Sequence, residues 1–249
     1  MAGHSKWAGI KHKKAVVDAR RGKLFAKLLR AIEVAAREGG GNIEGNATLA
    51  SAVQKARDFS VPMDNIDRAI KRGSGAEEGT SYQSVTYEGY GPDGVAILVE
   101  ALTDNRNRTG QEVRHTFAKM GGNLGGPGAV AWQFDRKGVV LVDAAQAPDE
   151  ETLLEMVLEA GADDLSRDGD QWQITTQPAG LQALRQALEE AKVPIVSAEL
   201  TMTPQNNVAV DGSKAKQVLA LIDALDELDD VQNVYANFDI PDELLAEVG

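Results

Sequence analysis

Apolar residues recur with a helical period through the first part of the chain. After residue 80 they alternate or run together. Phe25, Leu28, Leu29, Ile32 and Ala36 fall at i, i+3, i+4, i+7 and i+11, one stripe of a helix. Gly39-Gly40-Gly41 ends it, since consecutive glycines have no reason to stay helical. Asn46 is placed to cap a second helix with Leu49, Ala52, Val53 and Ala56 on one face. Pro62 breaks the pattern, and a third helix opens at Met63 or Asp64 and runs through Ile66, Ala69 and Ile70 to Arg72. Gly73-Ser74-Gly75 stops it, and Glu77-Glu78-Gly79-Thr80 reads as a linker. The pattern predicts a small helical bundle.

Beyond the linker, Val85-Thr86-Tyr87 reads as a strand, Gly91-Pro92-Asp93-Gly94 as a tight turn, and Val95 to Leu102 as a buried central strand. Thr109-Gly110-Gln111-Glu112 has the form of a capping box opening a helix with Val113, Phe117 and Met120 inward. A strand is predicted over 130–134, a turn at Asp135-Arg136-Lys137-Gly138, and a strand over 139–142. Leu153, Leu154, Val157 and Leu158 mark a helix that stops at Gly161. Strands over 172–175 and 197–202 enclose a helix marked by Leu181, Leu184 and Leu188. That order approaches the split βαββαβ unit. The tail offers a strand at 208–210, a helix through Val218, Leu221, Ile222, Leu225 and Leu228, and one alternating strand at Val234, Ala236 and Phe238. Alone it is too small to bury a core. It is expected to complete the sheet begun before residue 135, with 135–203 inserted.

Charge divides the chain. Residues 1–75 hold 15 Lys/Arg against 7 Asp/Glu, a balance of +8, whereas residues 76–249 hold 11 against 31, a balance of −20. The cations concentrate in Lys6, Lys11, Lys13, Lys14, Arg20, Arg21, Lys23, Lys27 and Arg30, with Asp18 as the one acid among them. Such a field suits polyphosphate, because each neutralised phosphate releases condensed counterions. Trp7 adds a flat face on which a base can stack. The acidic remainder would limit non-specific adhesion and orient the molecule on its target.

Other chemistry is sparsely represented. With no cysteine there is no thiolate nucleophile or Cys-based zinc site, and the three histidines His4, His12 and His115 lack metal-ligand spacing. Gly121–Gly128 has no Lys-Ser/Thr after it and leaves a helix instead of opening one, so it is no phosphate loop of the nucleotide-hydrolase type. No apolar run reaches the roughly 18 residues of a membrane span. The expectation is a cytoplasmic non-enzyme without metal, cofactor, membrane or small-molecule substrate. Two loops stand out in the acidic half. One carries Asn105, Arg106, Asn107 and Arg108 before a helix. There the arginines either hold phosphate or pair with neighbouring acids. The other contains Gly122, Asn123, Gly125 and Gly126, and its GXXG string would let a backbone approach closely or simply turn the chain.

Several separate stretches resemble the YebC/PmpR family: Met1 to Trp7, Ile10 to Lys14, Asp18, Arg20 to Lys23, Phe25, Val61 to Gly73, Tyr87 to Pro92, Thr103 to Arg108 and Gly121 to Phe134. The resemblance spans essentially the whole chain. It implies an α+β fold: an N-terminal helical bundle followed by two ferredoxin-like α+β domains, the middle one discontinuous in sequence. The expected division is 1–79, 80–134 with 204–249, and 135–203. It also implies a regulator of gene expression. The family includes proteins described as DNA-binding transcriptional regulators. It also includes translation factors, among them the mitochondrial translational activator of cytochrome c oxidase subunit I, and members linked to ribosomes stalled on proline-rich sequence. The basic run is mostly lysine, with few Asn or Gln placed to read bases, and Gly39–Asn46 is too long for the turn of a helix-turn-helix. On those grounds the preferred expectation is a ribosome- or RNA-associated translation factor bound to ribosomal RNA, the alternative a DNA-binding transcriptional regulator. The expected nucleic-acid contacts are Lys6, Trp7, Lys11, His12, Lys13, Lys14, Arg20, Arg21 and Lys23, with the Asn105–Arg108 and Gly122–Gly126 loops as second contacts.

Overall fold

The computed structural model of the protein describes residues 18–75, 80–210 and 212–240. Three helices come first: α1 (Asp18–Gly39), α2 (Ala47–Asp58) and α3 (Met63–Gly73). Leu28, Ile32 and Ala36 of α1 meet Leu49, Val53 and Ala56 of α2 and Ile66 and Ala69 of α3 in one buried cluster. Gly73 lets α1 and α3 touch backbone to backbone, since a Cβ there would lie 2.3 Å from the Glu33 carbonyl oxygen. Asn46 caps α2 by accepting from Leu49 N–H at 3.0 Å, and its amide donates to the carbonyls of Ala35 at 2.8 Å and Gly40 at 2.9 Å. One buried side chain thus fixes both the end of α1 and the start of α2.

Thereafter the order is β1 (Gln83–Tyr90), β2 (Ala96–Thr103), α4 (Arg106–Lys119), β3 (Asn123–Leu124), β4 (Phe134–Asp143), α5 (Glu150–Glu159), β5 (Ala162–Asp168), β6 (Gln171–Thr176), α6 (Leu181–Glu190), β7 (Ile195–Pro204), β8 (Val208–Ala209), α7 (Gly212–Asp226), β9 (Val231–Ala236) and β10 (Phe238–Asp239). The fold is α+β, helices followed by antiparallel sheets. One four-stranded sheet runs β3-β1-β2-β9, so the tail supplies its last strand. Val113 and Phe117 of α4 and Val218, Leu221 and Leu225 of α7 share a core with Ile97 and Val99 of β2. The second sheet runs β5-β6-β4-β7, with every neighbour antiparallel, and buries Val140 and Ile174 with Leu153, Val157, Leu184 and Leu188. That is the strand order of the split βαββαβ unit. Phe134 and Pro204 are partners at one end of the β4–β7 ladder, so the chain leaves and returns at one point.

Several sequence expectations change. The strand expected over 130–134 is a 3-10 turn, Ala131–Gln133, because Val130 and Ala131 N–H groups go to a carboxylate instead of a ladder. The turn expected at 135–138 is continuous β4. β5 was missed because its alternation is nearly all polar, as befits an edge strand. The single final strand is two, broken at buried Asn237, whose side-chain oxygen accepts from Ala96 N–H at 2.7 Å.

The bundle docks on both sheet units. Lys55 Nζ lies 2.6 Å from Glu199 of β7, and the Arg185 guanidinium of α6 makes a forked pair with Asp58 at 3.0 and 3.1 Å. Burial pulls the Lys55 pKa down, but Glu199, Glu100 and Asp226 together hold it above its ordinary value.

Asn46→Ala removes the cap and takes a donor from the buried Ala35 carbonyl and the half-buried Gly40 carbonyl, so a loss of about 2–3 kcal/mol is expected in urea unfolding. Asn46→Asp keeps the cap acceptor but sets a carboxylate against those carbonyls and is expected to be no better. A loss of under ~0.5 kcal/mol in Asn46→Ala would contradict this role.

Candidate nucleic-acid interface

The basic run meets the acidic sheet partway along α1. Lys6, Trp7, Lys11, His12, Lys13 and Lys14 lie outside the described residues. Arg20 and Arg21 stand in the first turns of α1. The cations one and two turns further on point at the end of α7. Lys23 Nζ donates to the Glu227 carbonyl at 3.3 Å and lies 3.3 Å from Asp229, with 60% of its side chain still exposed. Lys27 donates to the Asp226 carbonyl and pairs with its carboxylate at 3.6 Å. Arg30 donates to the carbonyls of Leu102 at 3.1 Å and Asp229 at 2.9 Å, pairs with Asp230 at 3.1 Å, and lies 4.8 Å from the Tyr82 ring centroid. Helix C-termini attract cations, because their last carbonyls are unpaired and the helix dipole is negative there. Lys27 and Arg30 therefore hold the bundle in place, and Lys23 is shared between that docking and solvent.

Asp230 sits at the junction, 4% exposed. It accepts from Thr103 Oγ1 at 2.9 Å, Thr109 Oγ1 at 2.7 Å and Arg108 Nη2 at 2.6 Å. Burial works to raise its pKa, but the donations from Thr109, Arg108 and Thr103 hold the carboxyl below its ordinary value. Arg108 is raised in turn by its bonds to Asp230 and Asp104. This corrects the capping-box expectation. α4 starts at Arg106, capped by Asn105 Oδ1 accepting from Arg108 N–H at 3.1 Å, and Thr109 lies buried within the helix with its hydroxyl on Asp230.

Glu88, on β1, performs the same task for the glycine loop. Its buried carboxylate accepts from the N–H groups of Gly128 at 2.7 Å, Val130 at 2.7 Å and Ala131 at 2.8 Å. Burial raises its pKa, but those three donors together leave it lowered. The loop is held, not loose. Gly122 has no room for a side chain, with Tyr90 O 2.8 Å and Phe117 3.0 Å from a Cβ, and at Gly125 a Cβ would meet Ala129 at 2.8 Å. Gly126 faces open space. Neither Gly125 nor Gly126 has positive φ, so steric room and not backbone strain separates them.

The two loops meet. A groove of about 490 Å³ lies between β1, α4 and the glycine loop, lined by Thr86, Tyr87, Arg106, Arg114, Gly125 and Gly126 among others. Of the loop residues expected as second contacts, Arg106, Asn107, Gly125 and Gly126 line it. Asn105, Arg108 and Gly122 serve the fold, and exposed Asn123 pairs with Tyr90. Arg106 and Arg114 make no ion pair among the described residues. The sequence reading missed Arg114. Arg106, Gly110 and Arg114 fall at i, i+4 and i+8, a single helix face, and that spacing was the available signal.

Both carboxyls titrate below their ordinary values when folded. Their contribution is therefore complete above about pH 4–5, where unfolded carboxyls ionise, and is lost as pH falls through the folded values. Glu88→Gln is expected to cost about 1–3 kcal/mol at pH 7, with its deficit relative to the unaltered chain shrinking as pH falls in an acid-unfolding series. A deficit independent of pH would contradict the ionised carboxylate as the loop's anchor.

Among the described residues no helix is long and apolar enough to cross a membrane, and no group of three or more His, Asp or Glu is arranged to hold a metal. Comparison with known proteins covers both halves of the architecture. The model of the TACO1/YebC N-terminal domain matches residues 5–76, and that of the TACO1/YebC second and third domain matches 82–238. A protein of Rubrobacter xylanophilus named a probable transcriptional regulatory protein is 59% identical over 100% of this chain and 99% of its own length. One of Natranaerobius thermophilus with the same name is 56% identical over 98% and 99%. The crystal structure of a conserved hypothetical protein from Aquifex aeolicus superposes with a TM-score of 0.84 at 50% identity, covering 95% of this chain and 97% of that one. The bundle, the sheet completed by its tail and the inserted unit are thus shared in sequence and in shape, and the chain belongs to the TACO1/YebC family.

Proposed function

We propose that the protein is a nucleic-acid-binding regulator of gene expression that grips duplex DNA by its phosphates through Lys6, Lys11, Lys13, Lys14, Arg20, Arg21 and Lys23. Segregation of charge carries the reading: +8 within residues 1–75 and −20 beyond them. DNA is placed ahead of RNA on two grounds. The relatives are named probable transcriptional regulatory proteins. Moreover, α2 and α3 are joined by only the four residues Phe59 to Pro62, with Ser60 in the left-handed region at φ 58°. A connection of that length is compatible with the turn of a helix-turn-helix and lies at a different place from the long Gly39–Asn46 segment. The exposed side of α3 carries Arg68 and Lys71 beside Asp64 and Asp67, so it adds little to a general phosphate grip, which falls to the basic run.

A second reading is a ribosome- or RNA-associated translation factor acting on slow or stalled, proline-rich translation. One observation favours it: the two loops that flank α4 line one groove that a DNA grip by the bundle does not require.

Reversal of Lys13, Lys14, Arg20 and Arg21 to Glu is expected to weaken duplex-DNA binding at least ~100-fold at low salt while leaving the thermal melt unchanged. For the unaltered chain, the log–log salt slope should be about −0.9 per phosphate contact. Gel shifts on a duplex and on a structured RNA of equal length, beside translation of a proline-rich message in a reconstituted system, separate the two readings. Selective RNA binding with faster translation of that message would replace the DNA reading. Full binding by the reversed variant would overturn both.

A further inference from the structure

The outer edge of β1 has almost no partner. Tyr90 and Gly89 pair with Asn123 and Leu124 of β3, and Gly125 N–H donates to the Glu88 carbonyl at 2.7 Å. Gly126 and Pro127 then carry the chain away. Along a strand, alternate residues turn their N–H and C=O to the same side. The pairing at Tyr90 and Glu88 therefore makes Thr86 and Ser84 the next residues whose backbone groups face outward. Both are exposed, and neither has a partner on that side among the described residues. Gln83-Ser84-Val85-Thr86-Tyr87 carries none of the devices that usually protect an edge: no Lys, no Pro and no bulge in its pairing with β2.

The edge is also enclosed. α4 runs along one side with Arg106, Gly110 and Arg114, and the glycine loop closes the other, so Thr86 lies in the wall of the groove and Ser84 continues the strand edge just beyond it. Both arginines are exposed and free of ion pairs among the described residues, in the part of the chain that carries −20. Glu88 is committed to the loop N–H groups. Tyr87, the aromatic residue of the lining, packs partly into the core and its hydroxyl donates to the Arg106 carbonyl at 3.4 Å. It leaves little free ring for a base to stack on. A strand-edge ladder beside two cations matches a polypeptide backbone with acidic side chains better than it matches a sugar-phosphate chain.

We propose that the outer edge of β1 takes an extended, acidic peptide of a partner protein as an added antiparallel strand, with main-chain bonds to Ser84 and Thr86 and carboxylates on Arg106 and Arg114. The strand would continue the line of β3, and α4 and the glycine loop would set its side-chain preferences. This inference is independent of which nucleic acid the bundle holds.

The probe is a fluorescent, end-blocked eight-residue peptide of alternating Glu and Val, titrated onto the full chain by anisotropy. Saturable binding is expected. It should weaken at least ~10-fold with the corresponding Lys/Val peptide, with Arg106→Glu plus Arg114→Glu, and with the same Glu/Val peptide N-methylated at every residue. Thr86→Pro should weaken it likewise, since it removes an outward donor and spares the β1–β2 ladder. Should that variant not fold, the N-methylated peptide decides the matter alone. Equal binding of the N-methylated peptide, or none of the Glu/Val peptide up to about 1 mM, overturns the proposal. So does a groove that instead binds single-stranded oligothymidylate or oligouridylate in a manner lost with the arginine reversals. That last outcome would make it a nucleic-acid contact while leaving the bundle's grip a separate question.

Discussion

One buried carboxylate joins the parts of this molecule. Asp230, in the turn from α7 to β9, accepts from Thr103 at the end of β2, from Thr109 and Arg108 in α4, and from Arg30 in α1. Taking a charge out of water costs several kcal/mol unless partners replace the lost hydration. These donors do so only when the bundle, the sheet and α4 are all in place. The start of α4 and the seating of the bundle are therefore coupled. Arg30 and Arg108 share that one carboxylate, and α4 carries Arg108 and the cationic wall of the groove alike.

The opposite wall rests on a second carboxylate. Glycine-rich loops are easily read as flexible, and Gly121–Gly128 is not. Glu88 accepts from three N–H groups at the end of the loop and just past it, Gly128, Val130 and Ala131, and neighbouring atoms leave no room for a Cβ at Gly122 or Gly125. Pro127 and Gly126 follow directly and turn the chain off the β1 edge. The charge that orders the loop also creates the open strand edge beside it.

Most of the architecture could be read from the sequence, because helical stripes and apolar strands report burial directly. Asn46 as cap, the ends of α1 and α3, and the apolar face of α7 all followed from spacing. What escaped were elements set by distant polar partners. Thr109 looks like a helix cap in a local window, and Val130 to Phe134 looks like a strand. Asp230 and Glu88 override both from 121 and 42 residues away. β5 escaped because edge strands need no apolar alternation. In the candidate site, chemical type was legible but assignment was not. Of two neighbouring arginines, Arg108 is tied into the fold and Arg106 is free to act, a difference that depends on where Asp230 folds back. The first residues of the basic run lie outside the described structure, so their role rests on charge and on kinship.

By engaging Lys27 and Arg30 the acidic half fixes the direction of α1. The two kinds of contact differ in strength. Arg30 is largely enclosed, with a side chain 17% exposed against an Asp230 at 6%, and removing either partner would strand a buried charge. Lys23 and Asp229 are 60% and 79% exposed, a pair of the kind that contributes at most about 1 kcal/mol in water and less in salt. Lys23 can therefore leave Asp229 at little cost, while Lys27 and Arg30 keep the bundle docked. Along one helix, the cations pass from an exposed pair at Lys23 to enclosed ones at Lys27 and Arg30. The boundary falls within a single turn, between Lys23 and Lys27.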